Sequence, residues 1–572
     1  MTNPMRRSSR RRPPAFEPLE PRALLAVAPL PVVSIADASV TEGDSGTKTL
    51  AFAVTLSSPA TSRTTVRYAT ADGTATVSGG DYSAASGVVT FTRGSSRATV
   101  SVTVRGDGAV EADETFRVTL ASPSGCTLGR SIAAGTILND DAPPAPGSWT
   151  ILVYMTGEDL NRFARADINE MEKALTGLPT GVRFVVGWDQ PKSRVGPAYA
   201  TGGGTQPAWR TFGRSVLKAD ANMATVASTF DLSLGERNTG DPATLVDFVK
   251  WGVAQAPASR YVLQMWGHGG GLDGSQFDSE SGDDPLTIGE MAAALGASGM
   301  PTFDVVSYDN CLMAMAEVGA ALAPKVGGVF VASEETIEGT GQDYATAFAA
   351  LAVADPSRVT AAQVAAGMVQ SYGTQYVDGS NPSDTFSATV AAGYADLTAA
   401  VRTFVTAAAG LSSADRPAVL AAASGTVAYD EPAFRDLGGF MTAVASSPSL
   451  PATLTAAAGG VRTALSSIVA ARTSDSRSSS GLSIYLPTSF DAYLSSYKTD
   501  AAAFCAATGW DAFARWLATG SRSAVAIAGV TGAVRAHGRR MAIDPAAFAA
   551  LAADGRAPAA PRRGGRAAWP AA

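Results

Sequence analysis

The sequence predicts a multidomain protein in which an N-terminal all-β sandwich precedes an α/β domain with a mainly parallel sheet. At about 150 residues per domain, 572 residues suffice for two to four domains. Short runs of alternating apolar and polar residues fill residues 30–141. From residue 149 onward, fully apolar strands alternate with amphipathic helices. A Pro-rich linker, residues 142–148, separates the two patterns.

The two ends of the chain differ from the segments between them. Residues 1–29 are basic and contain a short apolar run from Ala23 to Val27. This outline predicts an export signal, and hence an extracellular or cell-surface protein, with a disordered basic tail as the alternative. Residues 521–572 are rich in Ala, Arg, Gly and Pro, which predicts a disordered tail.

The composition argues against several classes of protein. A net charge of −7 argues against a nucleic-acid partner, because a phosphate backbone calls for a basic surface. The sequence has no apolar run of about 18 residues, so we expect no membrane-spanning helix. Three widely spaced cysteines do not form a disulfide scaffold, and two histidines are too few for a clustered zinc site. We expect no organic cofactor.

Short strands separated by turns predict the sandwich. Val, Thr and aromatic residues alternate with polar residues, and Gly, Asp and Ser interrupt the runs at the spacing of an antiparallel sandwich. In chain order the strands are VVSIADASV, TLAFAVTL, TTVRYAT, GVVTFT, ATVSVTV, TFRVTL and SIAAGTIL. Acidic residues collect at the strand ends and turns, where exposure to solvent is their ordinary role.

This segment resembles the Calx-beta motif. VTEGDSG, YATADGTATVSGGDYSAASGVVTF, DGAVEADETFRVTL and ILNDD occur in the order of that family. The resemblance implies bound calcium, which takes six to eight oxygen ligands and suits carboxylates gathered at one tip. The positions that match the family's ligands are Glu42, Asp81, Asp107, Glu111, Glu114, Asp140 and Asp141. Asn139, Gly106 and Gly108 replace acids found in relatives, so one or two ions are expected rather than four.

The α/β domain is expected over residues 149–520. In chain order it contains the strand WTILVYMT, the helix ADINEMEKAL, the strand VRFVVGW, the helix DPATLVDFVKWGVAQ, the strands YVLQMW and FDVVSY, the helix CLMAMAEVGAAL and the strand GGVFVAS. An Ala-rich stretch from about 355 to 470 is predicted to be helical, and SGLSIYLP is a further strand.

His268 and Cys311 each follow a predicted parallel strand, where ligands bind in open α/β sheets. His268 lies in the turn GHGGG, and Cys311, 43 residues later, is expected in the first turn of a helix. A helix N-terminus and an imidazole both favour a thiolate. The amides of Gly269 and Cys311 are the expected oxyanion donors. The alternatives are a buried structural cysteine and a structural histidine. The order of strand, HGG turn, strand and D-x-C is that of a caspase-like arrangement.

The same segment resembles the clostripain family of cysteine peptidases. The resemblance rests on WTILVYMTGEDLN, GDPATLVDFVKWG, YVLQMWGHGGG, FDVVSYDNCLMAMAEV, VFVASEETIEGTGQDY and GLSIYLP. It implies a caspase-like αβα sandwich, His268 as general acid/base, Cys311 as nucleophile, and cleavage after Arg or Lys. Asp309 matches the acid that, in the family, binds the basic side chain of the substrate. The alternative is that Asp309 caps the helix that follows it. Glu334 and Glu335 either contribute to this pocket or are solvated.

The sequence therefore predicts a secreted cysteine endopeptidase that acts on proteins or peptides. The alternative is an inactive surface protein that uses its Calx-beta-like module for adhesion.

There is no Lys or Arg from Tyr261 to Pro324. An enzyme specific for basic residues therefore does not separate His268 from Cys311 by self-cleavage, although the acidic stretch 274–285 lies where an exposed activation loop is expected.

Overall fold

The structure, a computed structural model, describes residues 29–43, 46–107, 111–141, 147–190, 209–378 and 381–522. The predicted export signal, most of the linker and nearly all of the predicted tail lie outside these residues. The chain divides into two compact units after Asp141. None of the helices within the described ranges is both long and apolar enough to cross a membrane.

The first unit is a sandwich of two β-sheets, which confirms the predicted fold. Its strands are β1 (Val32–Ile35), β2 (Ala38–Thr41), β3 (Thr47–Leu56), β4 (Thr64–Ala71), β5 (Ser86–Phe91), β6 (Arg97–Arg105), β7 (Glu114–Ser124), β8 (Thr127–Leu128) and β9 (Ile132–Leu138). One sheet has the order β6-β3-β1-β8 and the other β2-β9-β7-β4-β5. The predicted run VVSIADASV is thus two strands, one in each sheet.

Alternate residues of these strands form the core between the sheets. Val100, Val102 and Val104 of β6 are buried, whereas the residues between them are exposed. Phe116 of β7 contacts Phe52 edge-on at 5.9 Å between ring centroids and stacks on Tyr82 at 4.3 Å. A period of two along each strand is what one buried face requires.

The second unit is built around an eight-stranded sheet. Its further strands are β10 (Trp149–Thr156), β11 (Val182–Asp189), β12 (Phe212–Val216), β13 (Arg260–Trp266), β14 (Ser275–Asp278), β15 (Asp284–Leu286), β16 (Phe303–Asp309), β17 (Val326–Ala332), β18 (Ser387–Val390), β19 (Phe434–Asp436), β20 (Val469–Arg472) and β21 (Ser483–Tyr485). The order in the large sheet is β12-β11-β10-β13-β16-β17-β18-β20. Five strands, β11, β10, β13, β16 and β17, are parallel. β12 is antiparallel to β11, and β18 is antiparallel to both β17 and β20, so β20 runs in the direction of the parallel strands.

Helices cover both faces of this sheet. They are α1 (Asn161–Leu175), α2 (Pro242–Gln255), α3 (Ile288–Leu295), α4 (Ala316–Leu322), α5 (Tyr344–Ala347), α6 (Ala361–Tyr372), α7 (Tyr394–Ala408), α8 (Arg416–Ser424), α9 (Leu437–Ala445), α10 (Ala452–Ile468), α11 (Tyr497–Asp500), α12 (Ala502–Thr508) and α13 (Trp510–Thr519). Along β10, Leu152 and Tyr154 belong to one apolar core, and Ile151 and Val153 belong to the other. The unit therefore has three layers, and the predicted αβα sandwich is confirmed.

Several predicted elements differ from the structure. The helix expected to start at Cys311 starts at Ala316, because Leu312 is left-handed (φ 65°) and Met315 is extended and bridges Ser483. The stretch 355–470 contains β18 and β19 among its helices. The predicted strand SGLSIYLP supplies β21, which pairs with β19 rather than with the large sheet.

Candidate active site

His268 and Cys311 follow neighbouring parallel strands at equivalent positions. In the register of β13 and β16, Trp266 pairs with Asp309, and each of the two residues lies two positions beyond this pair. The amide of Gly267 donates to the carbonyl of Asp309 at 3.3 Å. Asn310 Nδ2 donates to the carbonyl of His268 at 2.9 Å. The strand ends thus bring the two segments together at one edge of the sheet.

A carboxylate holds the imidazole of His268. His268 Nε2 lies 2.7 Å from Oδ1 of Asp159, and both side chains are largely buried. Asp159 belongs to a short 3-10 helix, Glu158–Leu160, directly after β10. No role was predicted for Asp159 from the sequence, although it lies in the GEDLN stretch that follows β10.

Cys311 is 3% exposed and lies at the start of a non-helical connection. Its Sγ accepts a hydrogen bond from the amide of Ile337 at 3.3 Å. The amide of Leu312, the next residue, donates to the carbonyl of Glu335 at 3.1 Å. The backbone after β17 therefore packs directly against the cysteine.

The predicted helix N-terminus at Cys311 is wrong, since α4 begins five residues later. Burial raises the pKa of the Cys311 thiol well above its ordinary value, and the Ile337 amide partly opposes this effect. The carboxylates of Glu335, Asp430 and Asp309 raise the pKa further. The resting sulfur is therefore a thiol, and a base is required to ionise it.

Gly269 packs against the backbone of Cys311. A Cβ atom at position 269 would lie 2.4 Å from the Cys311 carbonyl oxygen and 3.0 Å from its nitrogen, so only glycine fits. Gly269 lies opposite Ser275 in a β-bridge. The hydrogen bonds of this bridge run from the Gly270 amide to the Gly274 carbonyl and from the Gln276 amide to the His268 carbonyl. Within the described part of the chain, neither the Gly269 amide nor the Cys311 amide donates a hydrogen bond.

Asp309 is buried beneath the loop that follows β17. Its Oδ2 accepts hydrogen bonds from the Gln342 amide and the Tyr344 hydroxyl, both at 3.1 Å. A Cβ atom on Gly341 would lie 2.6 Å from Oδ2. Oδ1 is buried and accepts no hydrogen bond from the described residues. Burial raises the pKa of Asp309 to about 6. Asp309 does not cap α4, so the capping interpretation is wrong.

Glu334 and Glu335 are both buried rather than solvated. Glu334 accepts from the Tyr429 hydroxyl and the Gly481 amide. Glu335 Oε2 lies 2.7 Å from Nη1 of Arg477. A cation of the chain therefore already neutralises Glu335, whereas Asp309 retains a buried oxygen without a donor.

The acidic stretch 274–285 is exposed only at its turn, at Ser281, Gly282 and Asp284, and is not an extended exposed loop. Its residues form the hairpin of β14 and β15, in which Ser275, Gln276 and Asp278 are buried. Gln276 Nε2 donates to the carbonyls of Tyr154 and Trp266 and to the hydroxyl of Thr156. These hydrogen bonds fasten the hairpin to the ends of β10 and β13.

In the first unit, the acidic residues expected to bind calcium form one interacting cluster. They are Glu42, Asp81, Asp107, Glu111, Glu114, Asp140 and Asp141. Burial raises the pKa of Glu42 to about 7, and the charges of Asp107, Asp141, Glu111 and Asp140 add to the effect. Burial also raises the pKa of Glu114 to about 7, and the charge of Asp81 makes the next largest contribution to this increase.

The donor groups of this cluster are of the type that a hard cation binds, but no three of its described carboxylates have oxygens within 4.8 Å of one another. Backbone amides orient two of the carboxylates: Gly43 donates to Asp140 at 2.8 Å and Thr76 donates to Asp81 at 2.6 Å. Asn139 contributes a buried amide oxygen that accepts no hydrogen bond from the described residues. Oxygen ligands of this kind are those that calcium prefers. Gly108 lies outside the described residues.

Comparison with known families gives one match for each unit. The model of the Clostripain family matches residues 153–516, and that of the Calx-beta domain matches residues 31–141. Clostripain from Hathewaya histolytica is 32% identical over 127 residues, which cover 19% of this chain and 24% of that protein. The aligned part thus spans about a quarter of this curated relative.

Two solved structures are also similar to parts of the chain. A secreted C11 cysteine protease from Bacteroides thetaiotaomicron, crystallised with an irreversible peptide inhibitor, is 20% identical. The match covers 64% of this chain and 99% of that chain, with a TM-score of 0.48. The apo form of the Calx CBD1 domain is 27% identical; the match covers 20% of this chain and 99% of that chain, with a TM-score of 0.18.

Proposed function

The chain belongs to the clostripain family, and on this premise we propose that it is a secreted cysteine endopeptidase that cleaves proteins or peptides after Arg or Lys. The observation that carries the proposal is the pairing of Trp266 with Asp309, which gives His268 and Cys311 equivalent positions at the ends of adjacent strands. Asp159, held 2.7 Å from His268, supplies the orientation that a general base needs.

In the proposed mechanism His268 ionises Cys311. Because Nε2 faces Asp159, Nδ1 is the nitrogen that accepts the thiol proton. The buried thiol requires this base, and the imidazolium and the Ile337 amide stabilise the thiolate that forms. The thiolate then attacks the scissile carbonyl, and the amides of Gly269 and Cys311 donate to the oxyanion.

The acyl-enzyme then forms and is hydrolysed. His268 returns its proton to the leaving amine as the C–N bond breaks, and Cys311 keeps the acyl group as a thioester. A water molecule, deprotonated by His268, attacks this thioester and releases the carboxylic acid and the free thiol. Gly269 serves both steps, because its lack of a side chain allows its backbone to lie against Cys311.

Asp309 is proposed to recognise the basic side chain that precedes the cleaved bond. Its Oδ1 is a buried acceptor without a partner among the described residues, and a guanidinium or ammonium group would satisfy it. Since Arg477 already pairs with Glu335, Asp309 is the better acid for a substrate cation. Entry requires the loop carrying Gly341 to move away from the Asp309 carboxylate.

The N-terminal module is proposed to bind calcium through its acidic cluster. Burial, and after it the repulsion between neighbouring carboxylates, raises the pKa values of Glu42 and Glu114, and a cation at the tip would relieve the repulsion. An extracellular or cell-surface location is proposed from the basic and then apolar outline of residues 1–29.

Purified full-length protein tests the peptidase proposal on fluorogenic peptides ending in Arg, Lys, Ala or Asp, with and without calcium. Cys311→Ala and His268→Ala should each abolish cleavage without loss of the fold. Cys505→Ala is the matched control, because Cys505 is another buried free cysteine of the same unit. Cleavage by Cys311→Ala at the wild-type rate would contradict the mechanism, and an inactive wild type would favour an adhesion role.

A further inference from the structure

We propose that the side-chain amides of Gln276 and Asn310 form a clamp that sets the position of His268 relative to Cys311. Both would be positioning residues of the reaction, so this inference rests on the proposed peptidase function. Both side chains are 0% exposed. Neither amide is titratable or nucleophilic, so each acts through the groups that it holds.

Asn310 connects the two reactive segments directly. It immediately precedes Cys311, and its Nδ2 donates to the carbonyl of His268 at 2.9 Å. The same nitrogen donates to Oε1 of Gln276, also at 2.9 Å. The His268 carbonyl accepts a second hydrogen bond, from the backbone amide of Gln276 at 3.1 Å. Two donors thus fix the main chain of His268, and one of them belongs to the segment that carries the thiol.

Gln276 fastens the ends of β10 and β13. Its Nε2 donates to the carbonyls of Tyr154 at 3.1 Å and Trp266 at 3.0 Å, and to the hydroxyl of Thr156 at 3.0 Å. Tyr154 and Thr156 lie at the end of β10, and Trp266 is the last residue of β13. One side chain from the β14–β15 hairpin therefore holds the ends of two strands of the large sheet.

The clamp joins the three strand ends that carry the reactive groups. Asp159 follows β10, His268 follows β13 and Cys311 follows β16, and these strands are neighbours in the order β10-β13-β16. A buried hydrogen-bond network across the three ends makes their arrangement rigid. Proton transfer and nucleophilic attack tolerate only a narrow range of distances, so this rigidity should favour the reaction.

The hydrogen bonds also fix which end of each amide is the donor. The carbonyls of Tyr154 and Trp266 only accept, so the NH2 group of Gln276 faces them and its oxygen faces Asn310. Asn310 must then direct its NH2 group toward Gln276, and the same group meets the His268 carbonyl. The two amides are thus oriented as a pair.

Two features of the clamp reduce stability, which favours a functional role over simple packing. Gln276 has a left-handed backbone (φ 56°), which is unfavourable for a residue with a side chain and is common at functional sites. Asn310 Oδ1 is buried and accepts no hydrogen bond from the described residues. An apolar side chain at position 310 would avoid this cost, but it could not hold the His268 carbonyl.

Steady-state kinetics of the full-length protein on an Arg peptide test the clamp. Asn310→Leu keeps a branched side chain and removes both donations from Nδ2, and Gln276→Met keeps the length and removes those from Nε2. Each should lower kcat about 10- to 100-fold with KM nearly unchanged, because the reactive groups are displaced while the substrate pocket is intact. Gln264→Met is the matched control and should keep the wild-type kcat. Gln264 is also 0% exposed and lies on β13, but its Nε2 donates to the carbonyl of Met265.

Gln276→Glu separates positioning from packing and serves if another variant fails to fold. The new carboxyl would face two carbonyl oxygens in a buried site, which keeps it protonated. It can then donate one hydrogen bond and still accept from Asn310. Its kcat should therefore exceed that of Gln276→Met severalfold. Equal kcat in these two variants, or a wild-type kcat in folded Asn310→Leu, would overturn the proposal.

Alkylation of Cys311 by iodoacetamide, located by mass spectrometry, measures the clamp without a substrate. At neutral pH the wild-type rate should exceed that of His268→Ala, because the imidazole ionises the buried thiol. Asn310→Leu and Gln276→Met should react at rates close to that of His268→Ala, and Gln264→Met should react like the wild type. If the wild type cleaves no peptide, the peptidase proposal fails, while alkylation still decides the clamp. Wild-type alkylation rates in both clamp variants would overturn it.

Discussion

Replacing Asp309 by Asn tests how the pocket recognises a basic side chain. The substitution is nearly isosteric, and the Asn oxygen can still accept from Gln342 and Tyr344 as Oδ2 does. The amide NH2 group then occupies the position of Oδ1, the buried acceptor without a partner among the described residues. A hydrogen-bond donor would thus face the guanidinium in place of a negative charge.

The expected loss follows from the burial of Asp309, which is 3% exposed. Removing one partner of a desolvated charge pair costs about 2–5 kcal/mol, which lowers kcat/KM about 30-fold to a few thousand-fold. A peptide with citrulline, which keeps the shape of Arg without its charge, should change far less. The ratio of kcat/KM between the Arg and citrulline peptides therefore measures the pair itself.

The pH dependence of this ratio gives a second readout. Because burial raises the pKa of Asp309 to about 6, the carboxyl is ionised above that pH and protonated below it. The preference of the wild type for Arg over citrulline should fall as the pH is lowered through about 6. In Asp309→Asn the preference should be small and independent of pH over this range.

Asp304→Asn provides the matched control, because Asp304 lies near the other end of β16 and accepts from the Tyr261 amide. It should leave the Arg preference unchanged. Equal losses on Arg and citrulline peptides in Asp309→Asn, or a wild type that cuts both equally, would refute the assignment of Asp309 to the pocket.

Three further predictions concern the imidazole, the N-terminal module and processing. Asp159→Asn should lower kcat about 10- to 150-fold with little change in KM, since a hydrogen bond to a charged group contributes about 1.5–3 kcal/mol; unchanged kcat would exclude a role in orienting His268. Calcium at 100 times its Kd should stabilise the N-terminal module by about 2.7 kcal/mol, measured by melting of the full chain. This stabilisation by calcium should become smaller below pH 7, because Glu42 and Glu114 become protonated there. It should be unchanged in an Asp37→Asn control. A melting temperature that calcium does not change at neutral pH would contradict a filled site. Mass spectrometry of the active enzyme should find no break between Tyr261 and Pro324, and a break there would require another protease or another specificity.

Local sequence patterns were sufficient to predict most strands of both units. Alternation with a period of two marks β6, and continuous apolar runs mark β10, β13 and β16. The edge strands β12 and β20 and the neighbouring strand β18 were missed, because these short antiparallel strands depend on the neighbours with which they pair. The start of α4 was misplaced, because the bridge between Met315 and Ser483 holds the preceding backbone extended.

His268 and Cys311 could be selected from sequence because each follows a recognisable strand, and parallel strands end at a common edge. Asp159 could not be selected, since its meeting with His268 depends on β10 lying next to β13. The hairpin 275–286 was predicted to be exposed because its composition is acidic. Composition does not indicate the hydrogen bonds that Gln276 makes in its buried position.

By itself, the sequence determined the division into two units, the class of each fold, the strand ends that carry His268 and Cys311, and the absence of basic residues between Tyr261 and Pro324. These properties depend on residue type and on periodicity along the chain. The tertiary structure alone decided that Asp159 contacts His268 and that Arg477 neutralises Glu335. It also decided that the side chains of Gln276 and Asn310 join the ends of three strands. The physical reason is that charges act through space, so their burial and partners depend on how distant segments pack.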